Sequence, residues 1–215
     1  MGFKVLISGL MVTLMLTSAW ADEAYLPNPA TAGLDRAPLI DIRNARRVFP
    51  GILSGGQPTD EQLAEAQAKG FKTVINLRTA GEMQGSKEAT IVRDLRMNYI
   101  TIPVGGAADI NRENSQALIT ALADADQYPV LVHCASGNRV GALFALDAAA
   151  DGQLPVEEVM AIGTQTGMTR LAGVVRTKIE QERASASGSE LHGDIASQCD
   201  RAQATTTLAA NQICD

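Results

Sequence analysis

The segment 128–141 constrains the fold of this chain more than any other stretch. It reads Tyr-Pro-Val-Leu-Val-His-Cys-Ala-Ser-Gly-Asn-Arg-Val-Gly. The run 130–132 is apolar and mostly β-branched, which is typical of a buried parallel strand. The residues 140–146 are apolar and partly small, which indicates the start of a buried helix. A strand, a short loop and a helix N-terminus in this order predict a cradle for an anion, because the loop N–H groups and the helix dipole both favour negative charge.

Two side chains add chemistry to this predicted cradle. Cys134 follows the strand directly, where the positive field favours the thiolate. Arg139 ends the loop, and its planar guanidinium can grip two oxygens of a phosphate. A free cysteine is often only a buried core residue. A core cysteine has no need, however, of a histidine before it, a glycine three residues later and an arginine five residues later. The spacing therefore predicts that Cys134 is a nucleophile.

The segment from His133 to Arg139 resembles the signature loop of the cysteine-dependent protein tyrosine and dual-specificity phosphatases. Four residues separate Cys134 from Arg139, one fewer than is usual in those enzymes. The shorter loop resembles the phosphatase-like family related to the N-terminal domain of β-lactamase hydrolase-like proteins. It is also similar in length to the active loop of rhodanese sulfurtransferases. The segments 54–59 and 74–82 resemble the same phosphatase-like family, so that the resemblance covers about residues 45–180.

This resemblance implies hydrolysis of a phosphate monoester through a cysteinyl-phosphate on Cys134. The phosphate would be bound by Arg139 and by the backbone N–H groups of Ala135, Ser136, Gly137, Asn138 and Arg139. His133 would be structural and would orient the loop. Val140 stands where the resembling enzymes carry a serine or threonine that helps the sulfur to leave. Either Ser136 takes over that role or turnover is slow.

The resemblance also implies a general acid on a loop before the signature strand. Asp109, on the glycine-rich loop after Pro103, is the best candidate. The alternative for Asp109 is a helix cap or a solvated loop residue. Glu82 is the second candidate for the acid. Arg78 and Glu82 follow the end of a predicted strand, where open α/β sheets bind ligands, so they could support the site or form a surface ion pair.

Two other classes of function remain open from the sequence. A rhodanese-like sulfurtransferase would use Cys134 as a persulfide carrier and would need neither Asp109 nor Glu82. A catalytically weak phospho-ligand binding module is the third possibility. The expected partner is a phosphorylated protein or a small phosphomonoester, with no metal and no cofactor. A net charge of −6, with no run of more than two Lys or Arg residues, argues against nucleic acid.

The alternation of strands and helices predicts an α/β phosphatase-like domain at 46–183, with a parallel central sheet flanked by helices. Residues 22–45 are expected to form an extended lead-in on the domain surface, and 184–215 a polar tail. A first hairpin is expected at 46–54, and Thr59 and Asn111 are expected to cap helices. The predicted strands are 71–77, 97–103 and 130–132; the predicted helices are 59–69, 86–96, 111–125, 141–151, 156–162 and 170–183.

The N-terminus has the pattern of a secretory signal peptide at 1–21. Lys4 precedes an apolar stretch, 5–16, and Ala19-Trp20-Ala21 fits a cleavage site. The stretch is shorter than the roughly 20 residues that a membrane anchor needs. We therefore expect a periplasmic or secreted bacterial protein with no membrane association after cleavage.

Three cysteines in an oxidising compartment leave one unpaired. The natural assignment is a disulfide between Cys199 and Cys214 that holds the C-terminal tail, with Cys134 left as the free thiol. The alternative is a bridge from Cys134 to one of the tail cysteines, which would act as a redox switch.

Overall fold

A computed structural model of the chain describes residues 25–187. The predicted signal peptide, Cys199 and Cys214 lie outside the described residues, as does most of the predicted tail. The strands are β1 (Ile52–Gly55), β2 (Thr73–Asn76), β3 (Asn98–Thr101) and β4 (Val130–His133). The helices are α1 (Asp60–Ala68), α2 (Glu88–Asp94), α3 (Arg112–Ala121), α4 (Asn138–Ala148) and α5 (Val156–Gln165), followed by α6, which begins at 172 and continues to 187. Within residues 25–187, no helix combines the length and the apolar character that crossing a membrane requires.

The four strands form one parallel sheet in the order β1-β4-β2-β3. Strand β4 pairs with β1 on one side and with β2 on the other, so that Gly55 and Asn76 both lie opposite His133. The carboxyl ends of these strands therefore meet at one edge, the edge where open α/β sheets bind ligands. The parallel sheet with flanking helices confirms the predicted α/β class and the parallel central sheet.

Successive residues of each inner strand point into two different core layers, as the period of two requires. In β4, Val130 and Val132 face the first layer and Leu131 faces the second. The first layer is completed by α3 to α6, through Leu118, Leu143, Phe144, Val159, Val175 and Ile179. The second layer is completed by α1 and α2, through Leu63, Ala66 and Val92. Burial on both faces explains why β4 consists of apolar residues without alternation.

Both helix caps predicted from the sequence are present. Thr59 and Gln62 form a reciprocal capping box: the Gln62 N–H lies 3.2 Å from Thr59 Oγ1, and the Thr59 N–H lies 2.9 Å from Gln62 Oε1. Asn111 caps α3, because its Oδ1 accepts from the Asn114 N–H at 2.9 Å. A cap of this kind typically contributes about 1 kcal/mol to stability.

Four details differ from the sequence predictions. The first hairpin is reduced to a single bridge between Arg46 and Ser54. The lead-in is not confined to the surface, because Ile40 and Ile42 are buried in the second core layer. Helix α6 runs past 183 into the predicted tail.

Helix α4 begins at Asn138 rather than 141, since the left-handed φ of +82° at Gly137 turns the chain straight from the loop into the helix.

The first turn of α4 packs unusually close to the segment after α5. A Cβ added at Gly141 would lie 2.2 Å from the Met168 nitrogen and 2.4 Å from the Gly163 carbonyl oxygen. Only glycine permits this approach, which fixes the beginning of the helix that carries Arg139.

Candidate active site

Cys134 lies at the carboxyl end of the central strand and is 1% exposed. Its backbone N–H donates to the Gly55 carbonyl at 3.2 Å, which continues the pairing with β1. Its Sγ accepts a hydrogen bond from the Gly137 N–H at 3.1 Å. The chain therefore wraps around the sulfur between β4 and α4, and a loop N–H points at it as the sequence predicts.

Arg139 lies in the first turn of α4 and is 8% exposed. Its Nη1 donates to Glu82 Oε2 at 2.7 Å and its Nη2 to Glu82 Oε1 at 2.6 Å, and Nη1 also donates to the Val104 carbonyl. The Glu82 hydrogen bond raises the pKa of Arg139 despite its burial, and the charge of the nearby Cys134 sulfur acts in the same direction. The guanidinium is thus fixed beside the sulfur with a permanent positive charge.

Glu82 is held as a carboxylate in this pair. The Arg139 hydrogen bond, with help from the Thr79 N–H, lowers the pKa of Glu82 to about 2 although partial burial opposes this. Arg78 donates from Nη2 to the Glu82 carbonyl at 2.7 Å, and its Nε lies 3.5 Å from Glu82 Oε1. Because Glu82 carries no proton near neutral pH, it fits the role of a clamp for Arg139 and not that of a general acid.

His133 is completely buried and forms an ion pair or hydrogen bond with Glu88, with Nε2 3.0 Å from Oε1. Tyr99 donates to the same carboxylate oxygen at 2.8 Å and accepts from Asn76 Nδ2 at 2.8 Å. Burial raises the pKa of Glu88, but the bonds from His133, Tyr99 and Gln57 outweigh it and hold that pKa below its usual value. The His133 side chain therefore belongs to a buried polar network with Glu88 and Tyr99.

Two amide side chains hold the loop from outside. Asn44, in the predicted lead-in, donates from Nδ2 to the carbonyls of Ser136 at 3.1 Å and Gly167 at 3.0 Å. Asn138 accepts at Oδ1 from the N–H groups of Thr169 at 2.7 Å and Leu171 at 3.3 Å. The Asn138 side chain therefore faces the segment after α5, and only its backbone is available to a phosphate.

Asp109 lies on a short 3-10 helix, Ala107–Asp109, at the same end of the sheet. Its Oδ2 accepts from the Gly105 N–H at 2.7 Å. Among residues 25–187, no hydrogen bond joins Asp109 to Cys134, Arg139 or Glu82. It is linked to the site through its loop, because the Val104 carbonyl one residue before Gly105 accepts from Arg139. The cap of α3 is Asn111, which leaves the Asp109 carboxylate outside the helix end.

The structure thus joins Cys134, Gly137, Arg139, Glu82 and Arg78 into one contact network. Four further residues of these networks were not predicted from the sequence: Asn44, Gln57, Glu88 and Tyr99. A carboxylate at position 88 on the buried face of a predicted helix was a usable signal, since buried carboxylates are normally paired. The Ser136 hydroxyl makes no hydrogen bond to the described part of the chain, and Val140 is fully buried in the core.

A cysteine at the end of a central parallel strand, with an arginine in the first turn of the next helix, is the arrangement expected of a dual-specificity or tyrosine phosphatase-like protein. The chain belongs to the family described as DSP-PTPase phosphatase fused to NAD+ kinase, whose model matches residues 43–187. This confirms the resemblance drawn from the signature loop.

Known proteins agree with this assignment. The β-lactamase hydrolase-like protein of Xylella fastidiosa is 34% identical over 116 residues, which are 52% of this chain and 26% of that protein. The match thus spans about a quarter of the relative's length. A DUF442 phosphatase structure from Shewanella putrefaciens aligns with a TM-score of 0.51 and 22% identity, over 66% of this chain and 94% of its own. A cysteine-to-serine variant of P. aeruginosa TpbA in complex with pTyr aligns with a TM-score of 0.51 and 17% identity, over 73% of this chain and 98% of its own. These two structures share the fold.

Proposed function

We propose that the chain hydrolyses phosphate monoesters through a cysteinyl-phosphate on Cys134. The observation that carries the proposal is the convergence of a buried sulfur, a loop N–H group and a buried, clamped arginine on one loop. In the first step the Cys134 thiolate attacks phosphorus. A P–S bond forms, and the bond from phosphorus to the leaving oxygen breaks.

Arg139 has hydrogen-bonding capacity left for the phosphate. A guanidinium carries five N–H groups, and Glu82 and Val104 use three of them. The remaining two belong to Nε and Nη2, which share one edge of the plane. That edge can hold two equatorial oxygens while Glu82 holds the other end, so substrate binding does not require the clamp to open.

Asp109 is the proposed general acid, partly because the other candidate side chains are already engaged. Both carboxylate oxygens of Glu82 are occupied by the Arg139 guanidinium, and this pairing holds the pKa of Glu82 well below its usual range. His133 is committed to Glu88 beneath the loop. Asp109 would protonate the leaving oxygen and then take a proton from the water that attacks phosphorus in the second step.

The second step is expected to be slow. Water displaces the sulfur from phosphorus, and the departing thiolate needs hydrogen bonds. Val140 offers none, so the sulfur depends on the Gly137 N–H, which lies 3.1 Å away. A burst of p-nitrophenol followed by a slower steady state is the expected signature with an activated aryl phosphate.

One paired assay separates this function from the alternatives. The purified protein is given p-nitrophenyl phosphate in one reaction and thiosulfate plus cyanide in another. We expect phosphate release and no thiocyanate. Thiocyanate without phosphate release would favour a sulfurtransferase, and tight inorganic phosphate binding without turnover would favour a phospho-ligand binding module.

The proposal also covers the cellular compartment and the class of substrate. We infer a periplasmic or secreted phosphatase that acts on a phosphorylated protein or a small phosphomonoester, with a Cys199–Cys214 disulfide in its tail. The support is the signal peptide pattern at 1–21 and the odd number of cysteines. N-terminal sequencing of the mature protein from the periplasmic fraction should begin at Asp22.

A further inference from the structure

Gln57 lies where two hydrogen-bond networks of the site meet. Its Oε1 accepts from Arg78 Nη1 at 2.7 Å, and its Nε2 donates to Glu88 Oε2. Arg78 in turn donates to the Glu82 carbonyl, and the Glu82 carboxylate accepts from Arg139. Glu88 in turn bonds to His133, the residue immediately before Cys134.

These contacts close into a ring. The Arg78 N–H donates to Asn76 Oδ1 at 2.8 Å, Asn76 Nδ2 donates to the Tyr99 hydroxyl at 2.8 Å, and that hydroxyl donates to Glu88 Oε1 at 2.8 Å. Gln57 joins the two ends between Glu88 and Arg78. The ring ties together the end of β2, the interior of β3 and the first residue of α2, and a closed ring of this kind cannot shift at one member without straining the others.

An amide is the side-chain group that fits the two neighbours of position 57. On one side stands a guanidinium, which only donates, and on the other an ionised carboxylate, which only accepts. An amide supplies one acceptor and one donor at the required reach. Methionine, of similar length, would leave both neighbours without their partner, and glutamate would set a carboxylate against Glu88.

We propose that Gln57 is a positioning residue of the active site. It couples the Glu82 clamp on Arg139 to the buried His133–Glu88 pair, so that the phosphate-binding arginine and the cysteine loop keep one fixed relative position. This role deepens the phosphatase function proposed above and rests on it. A purely local role in the turn is the competing explanation, since Gln57 Nε2 also lies 3.3 Å from the Pro58 carbonyl oxygen.

The first test replaces the amide by an apolar side chain of similar length. Gln57→Met should lower kcat/KM for p-nitrophenyl phosphate about 10- to 100-fold, the range found when outer-shell hydrogen-bond partners of metal ligands are removed. Gln127→Met is the matched control. Gln127 is equally half-buried and also bonds through its amide, to Thr73 at 3.4 Å and Asp124 at 3.2 Å, but at the opposite end of β2. Its kinetics should match those of the native protein.

The second test has a readout that a local structural role would not move. In Gln57→Glu one oxygen of the introduced carboxyl can still accept from Arg78, while the other faces ionised Glu88 at high pH and the two charges repel. As the pH falls from about 8 to about 5, the pair takes up a proton, and the new O–H can donate to Glu88 as the amide did. The ratio of variant to native kcat/KM should therefore rise as the pH falls. Gln127→Glu, which faces Asp124 in the same way, should give a flat ratio.

A third measurement does not depend on turnover. Alkylation of Cys134 by iodoacetate, an anion that Arg139 should attract, is compared with alkylation by neutral iodoacetamide, each followed on the Cys134 peptide by mass spectrometry. Gln57→Met should lower the ratio of the two rates, and Gln127→Met should not.

The outcomes separate the two proposals. If the native protein releases no phosphate, the proposed hydrolysis is wrong, and the alkylation ratio alone decides whether Gln57 positions Arg139. If the native protein is active but Gln57→Glu gives a flat ratio, or Gln57→Met keeps the native alkylation ratio, the positioning role is overturned. If circular dichroism shows that Gln57→Met does not fold, the pH dependence of kcat/KM in Gln57→Glu decides between the two roles of Gln57.

Discussion

Glu82 and Arg139 meet end to end, with both carboxylate oxygens bonded to the two Nη groups at 2.7 and 2.6 Å. The two residues are 57 positions apart in sequence, and the arginine is the more deeply buried partner. This arrangement presents the remaining edge of the guanidinium to the cysteine loop. In the proposed mechanism, Glu82 therefore supports phosphate binding through Arg139.

The first prediction follows from this pair. Glu82→Gln keeps the shape but removes the charge and turns an NH2 group toward the guanidinium, so Arg139 loses its fixed position. We expect kcat to fall and KM for p-nitrophenyl phosphate to rise, with kcat/KM about 10- to 100-fold lower.

The chain offers a matched control for this substitution. Glu157 makes the same two-pronged contact with Arg176, at 2.7 and 2.9 Å, on the exposed surface. Glu157→Gln should have native kinetics, since exposed pairs contribute little. Equal kinetics in the two variants would remove Glu82 from the site.

A second prediction concerns acid stability. The pKa of Glu82 is lowered from 4.5 to about 2 in the folded protein. A carboxyl group whose pKa is lower in the folded than in the unfolded protein stabilises the fold. This contribution is complete above the unfolded-state pKa and is lost as the pH falls through the folded-state pKa. The native protein should therefore lose its stability advantage over Glu82→Gln between pH 4.5 and about 2. Urea unfolding of both proteins at several pH values measures this, and a constant difference over that range would contradict the ionised clamp.

A third prediction tests the nucleophile. Cys134→Ser should abolish hydrolysis and leave the fold intact, because a serine hydroxyl in this loop stays protonated whereas a thiol can ionise. Circular dichroism and inorganic phosphate binding should remain native-like, since the loop N–H groups and Arg139 are unchanged. Retained turnover in the purified variant would rule out catalysis through Cys134.

Local patterns in the sequence were sufficient for much of the fold. The apolar run of β4 and the Thr59–Gln62 capping box each involve residues within a few positions, so their physical logic can be read along the chain. The Cys134–Arg139 loop was predictable for the same reason. Sheet order and the clamp on Arg139 were not, because they depend on which strand ends become neighbours.

The missed residues share one property, which is long sequence separation from their partners. Asn44 contacts Ser136 across 92 positions, and Gln57 contacts Glu88 across 31. An asparagine in an extended lead-in and a glutamine in a turn both look like surface residues until the sheet brings the partners together. The burial of Ile40 and Ile42 was missed because a proline-rich stretch indicates a loop and not whether that loop covers a core.

A fourth prediction concerns the tail cysteines. We expect Cys199 and Cys214, 15 positions apart, to form a disulfide while Cys134 stays reduced. A loop of this length contributes roughly 3 kcal/mol by the chain-entropy estimate. Pairing the tail cysteines also removes two thiols that could capture an oxidised Cys134 as a mixed disulfide. Mass spectrometry of tryptic peptides from the unreduced protein should show the Cys199–Cys214 link, and a peptide joining Cys134 to either of them would disprove the assignment.

The last prediction tests Asp109 as the general acid. An acid is needed in proportion to the basicity of the leaving oxygen. Asp109→Asn should therefore lower kcat/KM, which reports the first step, strongly for alkyl phosphates and little for p-nitrophenyl phosphate, so that a plot of log kcat/KM against leaving-group pKa becomes steeper. The amide can still accept from the Gly105 N–H, which bonds Oδ2 at 2.7 Å in the native protein, so the loop should keep its shape. Asp124→Asn, at the opposite end of the sheet, is the control and should give the native slope. A loss in Asp109→Asn that is equal across the series would mean that Asp109 shapes the loop and that the proton comes from water.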